Sequence, residues 1–251
     1  MHVTEELPPY RALLVVDVKD FSGRPGRDHA GITESIPVLL AGAFGRCGLG
    51  DAWREQRFGV TTGDGYAVGF PSAVLPFLLN PLLGALQEEL AQRSVLRLRA
   101  SVNVGPMTDT GVPTISSGSG AARVETHRLL DSDPVKALLA RSGEATRVAA
   151  VVSARAYEDA VLTGYAADPP EHYVEVPVAV KAYRGTAYLR VPTPTGDLLA
   201  SGFAPTTAPT PDRVRSGRPG SVRNVAHDVR GPVVQAGTIE GGVHQYAHRR
   251  P

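Results

Sequence analysis

The sequence predicts a mixed α/β domain with its core elements in the order βαββαβ. Three observations carry this. Arg11–Val18 is a Val-rich apolar run of strand length, which reads as a buried central strand. Ile32, Ile36, Leu39, Leu40, Ala43 and Phe44 recur at helical spacing, as do Leu75, Leu78, Leu79, Leu82, Leu83, Leu86 and Leu90, so each set marks a helix with one apolar face. Leu96–Gly105 alternates apolar and polar residues, the pattern of a half-buried strand. With a hairpin between the two helices, the order matches the ferredoxin-like βαββαβ arrangement.

The first strand ends at Asp17-Val18, and Lys19 to Gly23 form a turn. The first helix spans Gly31 to Gly48, with Thr33 or Ser35 as its cap. Arg57–Phe70 reads as two short strands meeting at Gly63-Asp64-Gly65, because the glycines admit the positive φ of a tight turn. The second helix runs from Val74 to Arg93, with Pro76 in its first turn and Pro81 as a kink. After the strand ending at Gly105-Pro106 comes a Gly/Ser/Thr loop from Thr108 to Gly120. A third helix covers Ala121 to about Leu139 and is split by Pro134. Arg147–Val152 is a strand and Ser153–Val161 a short helix. Tyr173–Val180 and Gly185–Val191 are a closing pair of strands.

From Pro192 the composition shifts to Pro, Thr, Ser and Gly, which marks a linker without a core of its own. The expected organisation is therefore a folded domain over residues 1–192, a disordered linker over 193–220 and a short β motif over 221–251. Net charge is +1, so no basic field points to DNA or RNA. Cys47 is the only cysteine, which excludes a disulfide within the chain and a cysteine-based zinc site. The N-terminus lacks the order of a signal peptide, and no run reaches the roughly 18 apolar residues of a membrane span. A cytoplasmic protein that does not engage a membrane is expected.

Two carboxylates stand out. Asp17 closes a buried strand, where an unpaired charge is costly unless it meets a cation. Asp64 sits at the hairpin tip. Taken alone, each is an ordinary turn residue. In the βαββαβ arrangement, however, the first strand lies beside the hairpin, and two neighbouring carboxylates are a common way to hold divalent metal with a triphosphate.

These residues resemble a known family. Val15-Val16-Asp17-Val18-Lys19-Asp20-Phe21-Ser22 resembles the first metal motif of class III nucleotidyl cyclases, the catalytic domain of adenylate and guanylate cyclases. Thr62-Gly63-Asp64-Gly65-Tyr66 resembles the second. Leu98–Pro106 is similar to the family's strand ending in Gly-Pro, Gly120 to Leu129 to its helix with a transition-state Asn and Arg, and Val180-Lys181 with Gly185–Leu189 to its closing hairpin. The matches keep their order across residues 11–191.

The resemblance implies two Mg²⁺ or Mn²⁺ ions on Asp17 and Asp64, with a nucleoside triphosphate as substrate. It implies phosphate contacts from backbone N–H groups of Val18, Phe21 and Ser22. It gives transition-state roles to Arg128 and to Lys181, with Arg184 as the other occupant of the Lys181 role. It also implies a head-to-tail homodimer in which metals come from one chain and Arg128 from the other. Three positions depart from the family. Val60 stands at the base-reading lysine, Ser117 at its acidic partner and Val124 at the transition-state Asn. They leave two readings: another base specificity, including a pyrimidine, or a degenerate nucleotide binder. A polymerase-type or diguanylate-cyclase-type palm shares the metal layout, but Lys181 on the closing hairpin and the lack of an acidic pair at the hairpin tip argue against it.

At the far end, Val234-Gln235-Ala236-Gly237 resembles the amyloid-signalling motifs of actinobacterial immune proteins, which are similar to the RIP homotypic interaction motif. Short β segments of low charge with a stacking Gln form in-register ladders. The resemblance implies a partner carrying a matching motif and a role in signalling or antiphage defence. The alternative to a cyclase effector is an interaction protein that assembles through this tail.

Overall fold

The computed structural model describes residues 4–109 and 116–203. The linker from residue 204 and the tail motif with Val234, Gln235 and Gly237 lie outside the described residues. The class is α/β, as predicted. β1 (Tyr10–Val18) leads through a 3-10 turn (Phe21–Gly23) to α1 (Gly26–Arg46) and α2 (Gly50–Arg54). The hairpin of β2 (Phe58–Thr61) and β3 (Gly65–Pro71) follows. Then come α3 (Leu75–Phe77), α4 (Leu83–Arg93), β4 (Leu98–Pro106), α5 (Ala121–Leu130), α6 (Asp133–Arg141), β5 (Val148–Ser153), α7 (Ala154–Tyr157), β6 (Val174–Val180), β7 (Tyr183–Arg190) and α8 (Asp197–Ser201).

The seven strands form one sheet in the order β2-β3-β1-β4-β5-β7-β6. The segment β2-β3-β1-β4 is the ferredoxin-like order, and β1 pairs antiparallel with both β3 and β4. Alternation along β1 sends Leu14, Val16 and Val18 into a large core with α1, α4 and α7. Leu13 and Val15 go to the other face, towards α5. Asp17 shares the parity of Leu13 and Val15, so it belongs to that second face.

Several boundaries differ from expectation, each for a local reason. α1 begins at Gly26 behind Pro25, whose φ of −56° leads into the helix. Thr33 and Ser35 are therefore interior and not caps, and the Thr33 hydroxyl donates to the Gly63 carbonyl at 2.5 Å. α2 was not foreseen; its Trp53 packs on Phe44, with ring centroids 5.2 Å apart. The expected kink at Pro81 is present. Asn80 leaves helical geometry (φ −146°, ψ 121°) between α3 and α4. The split expected at Pro134 is present: α5 ends at Leu130, and Pro134 stands in the first turn of α6, where its missing N–H costs nothing. β7 starts at Tyr183, because Tyr183 and Arg184 pair with Val180 and Ala179 across a two-residue turn.

Residues 193–203, which composition places in the linker, pack on the body. The Thr146 hydroxyl donates to the Thr193 carbonyl at 2.7 Å, and Leu198 of α8 is buried. Near the start of β6, Asp168 is buried among donors. Arg190 Nε binds it at 2.9 Å and Asn80 at 2.6 Å, which ties the α3–α4 break to β7.

Candidate active site

The site forms where the C-terminal end of β1 meets the N-terminal ends of β3 and β4. The register sets Asp17 opposite Gly65 on one side and Arg99 on the other. The Val18 N–H donates to the Asp64 carbonyl at 2.9 Å, which fixes the hairpin tip against β1. Glycine is required at 65, because a Cβ there would lie 2.0 Å from the Val16 carbonyl oxygen. Gly63 has a φ of +94°, so it too needs the freedom of glycine.

Asp17 is 7% exposed. Both of its oxygens accept from one guanidinium, with Arg99 Nε to Oδ1 and Nη2 to Oδ2 each at 2.7 Å. Burial nevertheless dominates and pushes the Asp17 carboxyl up to about 6. The bonds and charge of Arg99 oppose that rise, and the nearby charges of Asp64 and Asp131 add to it.

Asp64, Lys19, Ser22, Arg99, Lys136 and Leu139 are among the residues around an open cavity of about 460 Å³. Phe21 also lines it. Its ring stacks on His29 at 4.3 Å, which anchors the 3-10 turn to α1. Asp20, which precedes that turn in a left-handed conformation (φ 57°), pairs with Lys19. The Val18 N–H, expected to face phosphate, is occupied by Asp64.

The remaining expected residues are not gathered here. Arg128 is half-buried on α5 and is not among the residues lining the cavity. Asp131, three residues on, pairs with Lys136 at 3.0 Å. Lys181 is exposed in the β6–β7 turn, and Arg184 donates to its carbonyl at 2.6 Å. β7 runs antiparallel to β5, and β5 parallel to β4, so this turn lies at the end of the sheet opposite Asp17. No single chain places Lys181 and Asp17 on one ligand.

Val60 on β2 and Val124 on α5 are 39% and 51% exposed, and Ser117 is buried. The elements carrying them meet around Phe58. Its ring fills the space beside Gly69 and Gly118, with the Arg123 guanidinium 5.4 Å from its centroid. None of Val60, Ser117 and Val124 lines the cavity.

Arg99, Lys19 and Lys136 are the residues that sequence reasoning missed. Arg99 occupies a polar position in an alternating strand. Only the β1–β4 register turns it towards Asp17.

Among the described residues, no group of three or more His, Cys, Asp or Glu side chains could hold a metal alone. No helix there is long and apolar enough to cross a membrane. Neither a protein-family model nor a curated protein matches the chain. Several solved structures share part of its backbone arrangement. The guanylyl cyclase Cya2 is 14% identical, with 72% of this chain and 90% of that one covered at a TM-score of 0.39. Adenylate cyclases from Trypanosoma brucei are 11% identical, covering 74% and 89% at 0.45. The adenylyl cyclase CyaB from P. aeruginosa is 12% identical, covering 72% and 93% at 0.41.

Proposed function

We propose that the chain is a nucleotidyl cyclase, converting a nucleoside triphosphate into a cyclic nucleotide and pyrophosphate. One observation carries the reading. Asp64 lines a cavity together with Lys19, Arg99 and Lys136, and Arg99 in turn holds the carboxylate of Asp17 on the neighbouring strand, which feels the charge of Asp64. Acidic groups for a cation and basic groups for an anion thus stand together, as a metal–polyphosphate ligand requires.

The donor set fits a hard divalent cation such as Mg²⁺ or Mn²⁺, since it offers carboxylate oxygen and no nitrogen or sulfur. With two carboxylates the protein supplies part of a coordination shell, which suits ions arriving with the triphosphate. When bound, such ions lower the pKa of a ribose hydroxyl and offset phosphate charge. Asp17 and Asp64 hold the cations. Arg99, bidentate on Asp17, would offer the same fork to phosphate oxygens. Lys19 adds charge from the β1 turn.

Lys181, at the opposite end of the sheet, reaches such a ligand only from a second copy packed head-to-tail. This supports the homodimer, with Arg128 contributed across the same interface. The tail centred on Gln235 then serves to recruit or cluster the enzyme with a signalling partner in a defence response. Fibre formation by a fusion of residues 221–251, abolished by Gln235→Pro, tests that part.

Purified protein incubated with each of the four nucleoside triphosphates and Mn²⁺ tests the activity. A cyclic product that Asp64→Ala removes is expected. No product from any of the four, with wild type and Asp64→Ala alike, overturns the reading. A second reading, a degenerate nucleotide binder, draws support from the exposed apolar Val60 and Val124, which offer a base no side-chain hydrogen bond.

A further inference from the structure

We infer that Lys136 of α6 is a phosphate-binding residue of this cavity, paired with Asp131 in the unliganded chain and transferred to the polyphosphate of the ligand. The inference rests on the nucleotide-binding reading above and deepens it, giving Lys136, there only one of the basic residues around the cavity, a specific role.

Lysine is scarce in this chain. It occurs at positions 19, 136 and 181, and two of these three, Lys19 and Lys136, line the one cavity that Asp64 and Arg99 also line. The third is at the other end of the sheet. The Lys136 ammonium has three donors, one of which binds Asp131 Oδ1 at 3.0 Å. Both side chains are substantially exposed, so this pair is weakly held and easily exchanged. A polyphosphate in the cavity presents a denser negative charge than one carboxylate, and a flexible lysine stem can follow it.

The backbone beneath Lys136 is fixed, which makes its position a designed feature of the site. Val135, Leu138 and Leu139 of α6 are buried against β5, β6 and β7. The end of the helix is held by Arg97, a buried arginine just before β4. Its Nη2 donates to the carbonyls of Leu139 at 2.7 Å and Ser142 at 3.0 Å. β4 therefore carries Arg99 into the cavity directly and, two residues earlier, braces the helix that brings Lys136. The charge left on Asp131 when Lys136 turns away stays within electrostatic reach of Asp17, so releasing the lysine adds negative potential on the side where cations bind.

The test is calorimetric titration of the full chain with inorganic triphosphate and, separately, with the accepted nucleoside triphosphate, both in Mn²⁺. Wild type, Lys136→Ala, Lys136→Arg and Asp131→Asn are compared. Losing one charge-assisted contact should weaken triphosphate binding about tenfold in Lys136→Ala, while Lys136→Arg keeps most of it. Asp131→Asn, which frees the lysine, should bind at least as tightly as wild type. Unfolding midpoints of all four should agree, since the side chain lies outside the core. Wild type and Lys136→Ala binding triphosphate equally well would overturn this inference alone. Failure of wild type to bind either ligand would overturn the nucleotide reading and this inference with it.

Discussion

Arg99 and Asp17, neighbours in the β4–β1 register, form a bidentate pair whose two bonds are each 2.7 Å long. The pair is nearly buried, with side-chain exposures of 15% and 11%. A carboxylate taken from water at the end of a central strand needs such a partner. That partner is the Arg99 guanidinium, and under the proposed function the same carboxylate would also hold a divalent cation.

Arg99→Ala strands the Asp17 carboxylate. Removing one member of a buried pair costs about 3–5 kcal/mol, so a loss of that order is expected in denaturant unfolding at pH 8. The loss should shrink at pH 5. Asp17 already takes up a proton near pH 6, and without Arg99 it does so more readily, which removes the stranded charge.

Asp17 also links pH to stability and to metal binding. Its folded-state carboxyl is raised from 3.8 to about 6 by burial, against the pull of Arg99. A raised group contributes stability that is fully present below the unfolded value and lost as pH rises through the folded value. The stability of wild type relative to Asp17→Asn should therefore fall between pH 4 and pH 6 and then level off. Over the same window a bound cation competes with the proton. Mn²⁺ affinity in the presence of nucleotide should weaken as pH drops through about 6, as read by calorimetry.

Asp64→Ala should leave the fold intact, because the hairpin is held by the Asp64 backbone carbonyl and not by its carboxylate. Metal-dependent turnover should fall by about 100-fold or more, the cost of losing several kcal/mol of charge stabilisation. An unchanged turnover rate would remove Asp64 from the site.

Gly65→Ala should be more damaging to the fold than its size suggests. The new methyl would meet the Val16 carbonyl oxygen at 2.0 Å. Since backbone on β1 cannot move aside without breaking the ladder, a loss of about 1–3 kcal/mol is expected, with the Asp17–Asp64 approach disturbed. Thermal unfolding and Mn²⁺ titration check the two effects separately.

Asp168→Ala tests a buried cluster outside the site. Burial alone would raise this carboxyl, but bonds from Arg190, Asn80 and His172 outweigh it and hold it below the usual range. Its contribution is therefore present at neutral pH and lost on acidification through that lowered value. The substitution should destabilise by about 3–5 kcal/mol while leaving nucleotide affinity unchanged at temperatures where the variant is folded.

Much of the scaffold was legible in the linear sequence. The apolar run ending at Asp17, the Gly-Asp-Gly tip and the leucine spacing of 75–90 determined a βαββαβ core, because side-chain period decides between strand and helix before any long-range contact forms. The same logic put Asp17 and Asp64 at adjoining strand ends. Residues such as Arg99 and Lys136 were silent, because a polar residue on a strand or a lysine on a helix has many innocent explanations. Only the pairing of β4 with β1, and the packing of α6 over the sheet, decide which way those side chains point. Lys181 shows the converse. Its motif reads as part of the site, yet the strand directions carry it to the far end of the sheet, since each antiparallel step reverses the chain. The sequence by itself determined which chemistry is available. Only the tertiary structure decided that Arg99 holds Asp17, that two of three lysines meet beside Asp64, and that Lys181 lies at the opposite end of the sheet.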